Sequence, residues 1–302
     1  MKITIYGAGS DLGVHIDGAA LGPVQLIKDL KSFYDGEIIS VNQNPNIIKS
    51  RNLSDRRKNE YEIERLNTEL YKNILEKNKE EYFPITIGGD KSIAVASSLA
   101  TAKKFGNENI GLIWLSAHPD YNTFNTTISG NIAGLSLSAI NGYENHELRY
   151  FHDGSIIQTA RSVVIGARNI ENSEQDNIRY SGINVFTTED IKTKGIEEVL
   201  KEAFEIVSRK TSGIHICFSL DLIDPDIAPG VSIPEFEGIS EEDAMKINEE
   251  ILKHIEDITS YDLLDFNPLR DENRKTEQIA LNLLAQVINA AKKKGKNFDK
   301  IY

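Results

Sequence analysis

Residues 110–115, Ile110-Gly111-Leu112-Ile113-Trp114-Leu115, are uniformly apolar or small and end abruptly in Ser116-Ala117-His118-Pro119-Asp120-Tyr121-Asn122-Thr123. A run of this kind is what a strand covered on both faces requires, and its polar residues arrive together where such a strand leaves the sheet. In α/β folds that exit is where chemistry is placed. His118 and Asp120 are two apart in an extended segment, so their side chains project to one side with the spacing to hold a cation. Alone, a His-x-Asp pair also suits a helix cap or a hydrogen bond, so its meaning depends on the other strand ends.

Those ends repeat the pattern. Strands are expected over 2–6, 37–41, 83–87, 162–165, 183–186, 214–218 and 258–264, each an apolar run bounded by polar or turn residues. Helical periodicity separates them. Pro23 suits the first turn of a helix burying Val24, Leu26, Ile27 and Leu30, and a charged helix following Ser54 carries Tyr61, Leu66, Leu70, Ile74 and Leu75 on one stripe. Ser54 is placed to cap it. Further helices are expected near Ser92 and over 196–209, 240–254 and 275–294, while 124–141, rich in Thr, Asn, Ser and Gly, reads as a long polar loop. Strands alternating with helices predict a mostly parallel sheet covered on both faces, in a single domain over 1–302. Gly7, Gly9 and Gly13 imitate a dinucleotide turn, but no helical pattern begins before Gly22-Pro23, which rules that reading out.

The 302 residues, 40% of them hydrophobic, suffice for a full core. With 34 basic and 46 acidic residues the net charge is −12, which argues against nucleic acid or an anionic membrane as partner. A single cysteine, Cys217, can form neither an intrachain disulfide nor a thiolate cage. The expected setting is a reducing cytoplasm, with neither a leader nor a membrane span.

Five strands therefore finish in polar clusters, at Asp90, at His118 with Asp120, at Arg168 with Glu171, at Asp221 with Asp224, and at Asp265. In a parallel sheet these ends share one edge and converge on one crevice. An acidic crevice with one histidine suits a divalent cation, or a cationic substrate such as an amine or guanidine.

In order and spacing, Gly88-Gly89-Asp90-Lys91-Ser92, Ser116 to Asn122, Ser129-Gly130-Asn131, Ser219-Leu220-Asp221-Leu222-Ile223-Asp224-Pro225 and Asp265-Phe266-Asn267-Pro268 resemble the motifs of the ureohydrolases, the arginases and agmatinases. The resemblance spans almost the whole chain. It implies a three-layer α/β/α sandwich around an eight-stranded, mostly parallel sheet, assembled as a trimer or hexamer. It also implies two manganese ions that activate a hydroxide for attack on a guanidinium carbon, releasing urea.

Position by position the match is partial. The resemblance carries over His118, Asp120 and Asp221 as metal ligands, but Lys91 stands where a histidine ligand belongs, and Ser116 and Ser219 stand at the two metal-bridging aspartates. The proton-shuttling histidine falls at Ala133. Four carboxylates balance two divalent ions, whereas Asp120 and Asp221 supply two charges and Lys91 opposes them. A like charge ~4 Å away at an effective dielectric of ~20 costs on the order of 4 kcal/mol, roughly three decades of affinity. A lysine there is expected to replace a metal, within salt-bridge reach of Asp120 or Asp221.

The ligand side matches better. By resemblance, Asn122, Ser129 and Asn131 meet an α-carboxylate, Glu171 meets an α-amino group, and Asp265 replaces a glutamate facing the guanidinium. His118, Asp120 and Asp265 are thus the candidate catalytic residues. Three functions remain open at this level: a ureohydrolase fold that binds a cationic or amino-acid ligand without two-manganese chemistry, an active amidinohydrolase with a single or atypical metal site, and a non-catalytic oligomeric scaffold.

Overall fold

A computed structural model describes residues 1–298 apart from 51, 53, 78–81, 107, 108, 145, 152 and 153. Eight strands form one sheet: β1 Lys2–Gly9, β2 Glu37–Asn42, β3 Tyr82–Gly88, β4 Ile110–Leu115, β5 Ser162–Ala167, β6 Asn184–Thr187, β7 Gly213–Ser219 and β8 Ile258–Leu264. Their spatial order is β2-β1-β3-β8-β7-β4-β5-β6, and every pairing is parallel. Central β4 and β7 are buried at every position, as the apolar run of β4 requires, and β7 buries His215 as well.

Nine α-helices lie among the described residues: α1 Gly22–Leu30, α2 Glu60–Lys77, α3 Ala94–Phe105, α4 Ser136–Ile140, α5 Asn172–Ser181, α6 Thr188–Lys194, α7 Ile196–Val207, α8 Glu241–Leu252 and α9 Lys275–Phe298. Two hydrophobic layers sandwich the sheet. One packs Leu26 and Leu30 of α1, Val199 and Ala203 of α7, Ile247 of α8 and Leu284 of α9 against the inner strands. The other packs Leu66 and Leu70 of α2, Leu99 of α3 and Ile140 of α4 against Leu112 and Trp114. The result is a three-layer α/β/α sandwich. Among the described residues no helix is long and apolar enough to cross a membrane.

Several local expectations are corrected. Val24 and Tyr61 are exposed, so the buried stripes of α1 and α2 are narrower than their apolar residues suggest. Ser54 caps nothing: its hydroxyl donates to Asn52 Oδ1 at 2.8 Å, and α2 begins only at Glu60. The polar stretch 124–141 is not a bare loop. It contains a 3-10 turn, Ile132–Leu135, and the buried helix α4, whose small residues pack closely while the Ser138 hydroxyl donates to the carbonyls of Asn122 and Leu135. α6 went unanticipated because it is short and polar; a reciprocal cap between Thr187 and Asp190 starts it.

Parallel pairing brings the C-terminal ends of β3, β4, β5, β7 and β8 to one edge. Two close backbone approaches shape it. A Cβ on Gly89 would lie 1.8 Å from the Ser10 carbonyl oxygen, so only glycine lets β3 exit here beside the loop after β1. Asp120 and Asp265 both adopt left-handed backbone, with φ of 53° and 69°, a conformation that aspartate tolerates better than most residues and that turns the chain sharply at each strand end.

Candidate ligand cavity at the strand edge

The edge opens into a cavity of about 230 Å³. Its floor is an ion cluster centred on Lys91, which the 3-10 turn Lys91–Ile93 carries inward; Asp90 caps that turn by accepting from the Ser92 N–H. Lys91 Nζ lies 2.8 Å from Asp221 Oδ2, 2.9 Å from Asp120 Oδ2 and 2.9 Å from Ser116 Oγ. The three side chains that would offer lone pairs to a cation thus already accept from an ammonium. Ser116 passes the interaction on, donating to Asp221 Oδ1 at 3.0 Å while its oxygen accepts from the His118 N–H.

His118 is held from both sides. Nδ1 is 2.9 Å from Asp221 Oδ2 and Nε2 is 3.2 Å from Glu235 Oε1. Burial and the Lys91 charge oppose its protonation, yet the bonds to Asp221 and Glu235 carry its pKa up to about 9. An imidazolium donates at both nitrogens and keeps no lone pair. Burial alone would raise Asp221, but Lys91 and His118 hold it well below the ordinary carboxylate range. The Lys91 ammonium is disfavoured by burial and held above its ordinary value by Asp120, Asp221 and Asp265. Asp120, which also accepts from Trp114 Nε1 at 3.1 Å, is pushed up by burial in spite of Lys91.

Above the floor, the cavity wall carries Asn122, Ser129, Asn131, Glu171 and Asp265, together with His118 and Asp120. Asn122 Nδ2 donates to Glu171 Oε2 at 3.2 Å, so two of the predicted ligand groups are prearranged against each other. Asp265 is buried, its Oδ1 has no hydrogen-bond partner, and burial next to Asp221 raises its pKa to about 7. Ala133 lines the wall without any polar group.

Other expected members lie elsewhere. Asp221 sits beneath the cavity rather than on its surface, and the Ser219 hydroxyl is fully buried without a partner. Asp90 spends its carboxylate on Ser10 and the Gly13 N–H, and Asp224 on the N–H groups of Asp226 and Gly238. Arg168 donates to the carbonyls of Asp221, Leu222, Glu235 and Phe236, tying the loop that carries Glu235 to the end of β7. These charges do structural work at the same edge.

Sequence reasoning missed His15, Glu174 and Glu235. His15 Nδ1 meets Asn131 Nδ2 at 3.1 Å, and Glu174 lines the wall while accepting from the Tyr121 N–H at 2.7 Å. Only Glu174 left a trace in the sequence, as the end of the polar run after β5.

An all-parallel α/β/α sandwich with a polar cavity at the carboxyl edge of its central strands, walled by Asn122, Glu171 and Asp265, has the architecture of the ureohydrolases. The family description Arginase family matches residues 1–289. An arginase of Staphylococcus aureus (strain COL) is 34% identical over 292 residues, covering 93% of this chain and 95% of that protein. An arginase of Bacillus subtilis (strain 168) is 36% identical over 239 residues, 76% and 79% of the two chains. Among solved structures, Entamoeba histolytica arginase in complex with L-ornithine superposes with a TM-score of 0.87 at 27% identity, over 95% of this chain and 98% of that one. The chain belongs to the arginase family.

Proposed function

We propose that this arginase-family protein binds a small amino-acid or cationic ligand in the strand-edge cavity and does not carry the two-manganese hydrolysis of its relatives. The observation that supports this reading is the position of Lys91 Nζ, 2.8 Å from Asp221 and 2.9 Å from Asp120. Family members normally use manganese, and the residues present here do not fit it. A fixed ammonium occupies the point on which the carboxylates converge. Hydroxyls replace two carboxylates, and both nitrogens of His118 face carboxylate oxygens. Among the described residues no three His, Cys, Asp or Glu side chains are grouped to hold a metal. A one-metal amidinohydrolase on His118, Asp120 and Asp221 would need Lys91 to leave and His118 to lose a proton, so this arrangement favours the non-hydrolytic reading.

The ligand wall supports the other half of the reading. Asn122, Ser129, Asn131 and Glu171 face one cavity, and the unpartnered Asp265 Oδ1 offers an acceptor to a donor-rich group. The likeness to an arginase that holds L-ornithine makes α-amino acids with a cationic tail the first ligands to test. A cytoplasmic single-domain homo-oligomer, trimeric or hexameric, completes the proposal. Thermal unfolding with L-ornithine, L-arginine and agmatine tests it, since a ligand selective for the native state must raise the midpoint. Stabilisation without urea release supports ligand binding; no shift with any of the three favours a scaffold that uses the fold alone.

A further inference from the structure

Between β2 and α2, Lys49 and residues 54–59 touch both walls of the cavity without lining it. On one side, Lys49 Nζ pairs with Asp11 and Asp17, each at 3.0 Å, and Asn59 Nδ2 donates to the Leu12 carbonyl at 2.9 Å. Those contacts hold the loop after β1, which carries the cavity residues Val14 and His15. On the other side, Arg56 donates to the carbonyls of Phe124 and Asn125, the Arg57 guanidinium lies 4.1 Å from the Phe124 ring centroid, and Lys58 Nζ donates to the carbonyl of Ser129. Those contacts hold the loop that presents Asn122, Ser129 and Asn131.

The fit is close at the backbone as well. Gly130 has φ of +68°, and a Cβ there would lie 2.2 Å from the Asp55 carbonyl oxygen. Asn59, itself at φ 58°, accepts from the Ser50 N–H at 2.8 Å and so closes the segment on itself. Lys58 is buried, and it donates to the backbone of a residue that faces the cavity. A buried amine donating to a loop carbonyl is a strong restraint, because breaking it leaves a desolvated polar group.

Relying on the ligand reading above for what the cavity holds, we propose that Lys49 and residues 54–59 form a strap that fixes the two ligand-bearing loops, with Lys58 as its central positioning residue. The strap lowers the ordering cost of binding by holding Asn122, Ser129 and Asn131 in place before a ligand arrives.

The test pairs amide hydrogen exchange over 122–131 in the ligand-free protein with calorimetric titration by L-arginine and L-ornithine. Lys58→Met keeps the aliphatic stem and removes the donor, while Lys58→Arg supplies a donor again. In Lys58→Met the loop amides should exchange about tenfold faster with β4 amides unchanged, and the Kd for the bound amino acid should rise about tenfold. Lys58→Arg should recover both. Arg56→Ala, at the exposed end of the strap, serves if Lys58→Met does not fold. Unchanged exchange in a folded variant overturns the strap, and so does faster exchange with an unchanged Kd. If the wild-type protein binds neither amino acid, the ligand reading fails on that result and the exchange rates alone decide for or against the strap.

Discussion

The ammonium of Lys91 and the carboxylate of Asp221 meet at 2.8 Å at the bottom of the cavity, both buried. Burial leaves the pair little access to water, so each charge depends on the other for its stability in the fold.

Lys91→Met removes the ammonium while keeping the bulk. It should destabilise the protein by about 3 to 5 kcal/mol, the usual cost of leaving a buried charge without its partner. Urea denaturation in the presence of a chelator measures this. A wild-type midpoint in the variant would mean that Asp120 and Asp221 do not need the ammonium.

Restoring the family's ligand types should restore metal binding. Lys91→His, Ser116→Asp and Ser219→Asp act on one cluster, so single variants should gain little manganese affinity and the triple variant disproportionately more. Calorimetric stoichiometry is the check. Urea release from arginine should stay weak until Ala133→His adds a proton-transfer group. A folded triple variant that binds no manganese would show that these positions do not converge on one cation.

Glu174 makes a pH prediction. Burial raises its pKa from 4.5 to about 8 despite the bond from the Tyr121 N–H. Between those values the native state holds a proton that the unfolded chain has released. The resulting stability is fully present below the unfolded pKa and is lost as pH rises through about 8. Glu174→Gln keeps an acceptor for Tyr121 and removes the titration, so its stability should fall less between about pH 5 and about pH 8 than that of the wild type. Parallel slopes in denaturation experiments would contradict this.

Gly89→Ala should cost about 2 kcal/mol or more, since its Cβ would fall 1.8 Å from the Ser10 carbonyl oxygen and the backbone must move. Gly134→Ala, where a Cβ meets nothing within 4 Å, is the control and should be tolerated. Equal thermal midpoints for the two variants would contradict the close approach of β3 to the loop after β1.

The strands were legible because burial on both faces leaves an apolar run with no alternative: the expected 258–264 coincides with Ile258–Leu264. Amphipathic helices were legible in kind but less so in extent. Arg56, Arg57 and Lys58 read as the start of a charged helix, yet their side chains are committed to a neighbouring loop and α2 starts after them. In 124–141 the signal failed because small polar residues can be buried once their hydroxyls find carbonyls, as Ser138 does. In the site, Lys91 was legible as a counter-charge because the family resemblance set it at a ligand position beside Asp120 and Asp221, two carboxylates that need a cation when buried. Glu235 and His15 were not, since each reaches its partner from a distant loop through tertiary contacts that no local pattern encodes.

The most direct measurement is the metal content of the protein purified without chelators and then incubated with manganese, read together with urea release from L-arginine and agmatine. With the Lys91 ammonium held between Asp120 and Asp221, manganese should remain far below stoichiometric and no urea should form. Near-stoichiometric manganese with urea release from either substrate would contradict the account.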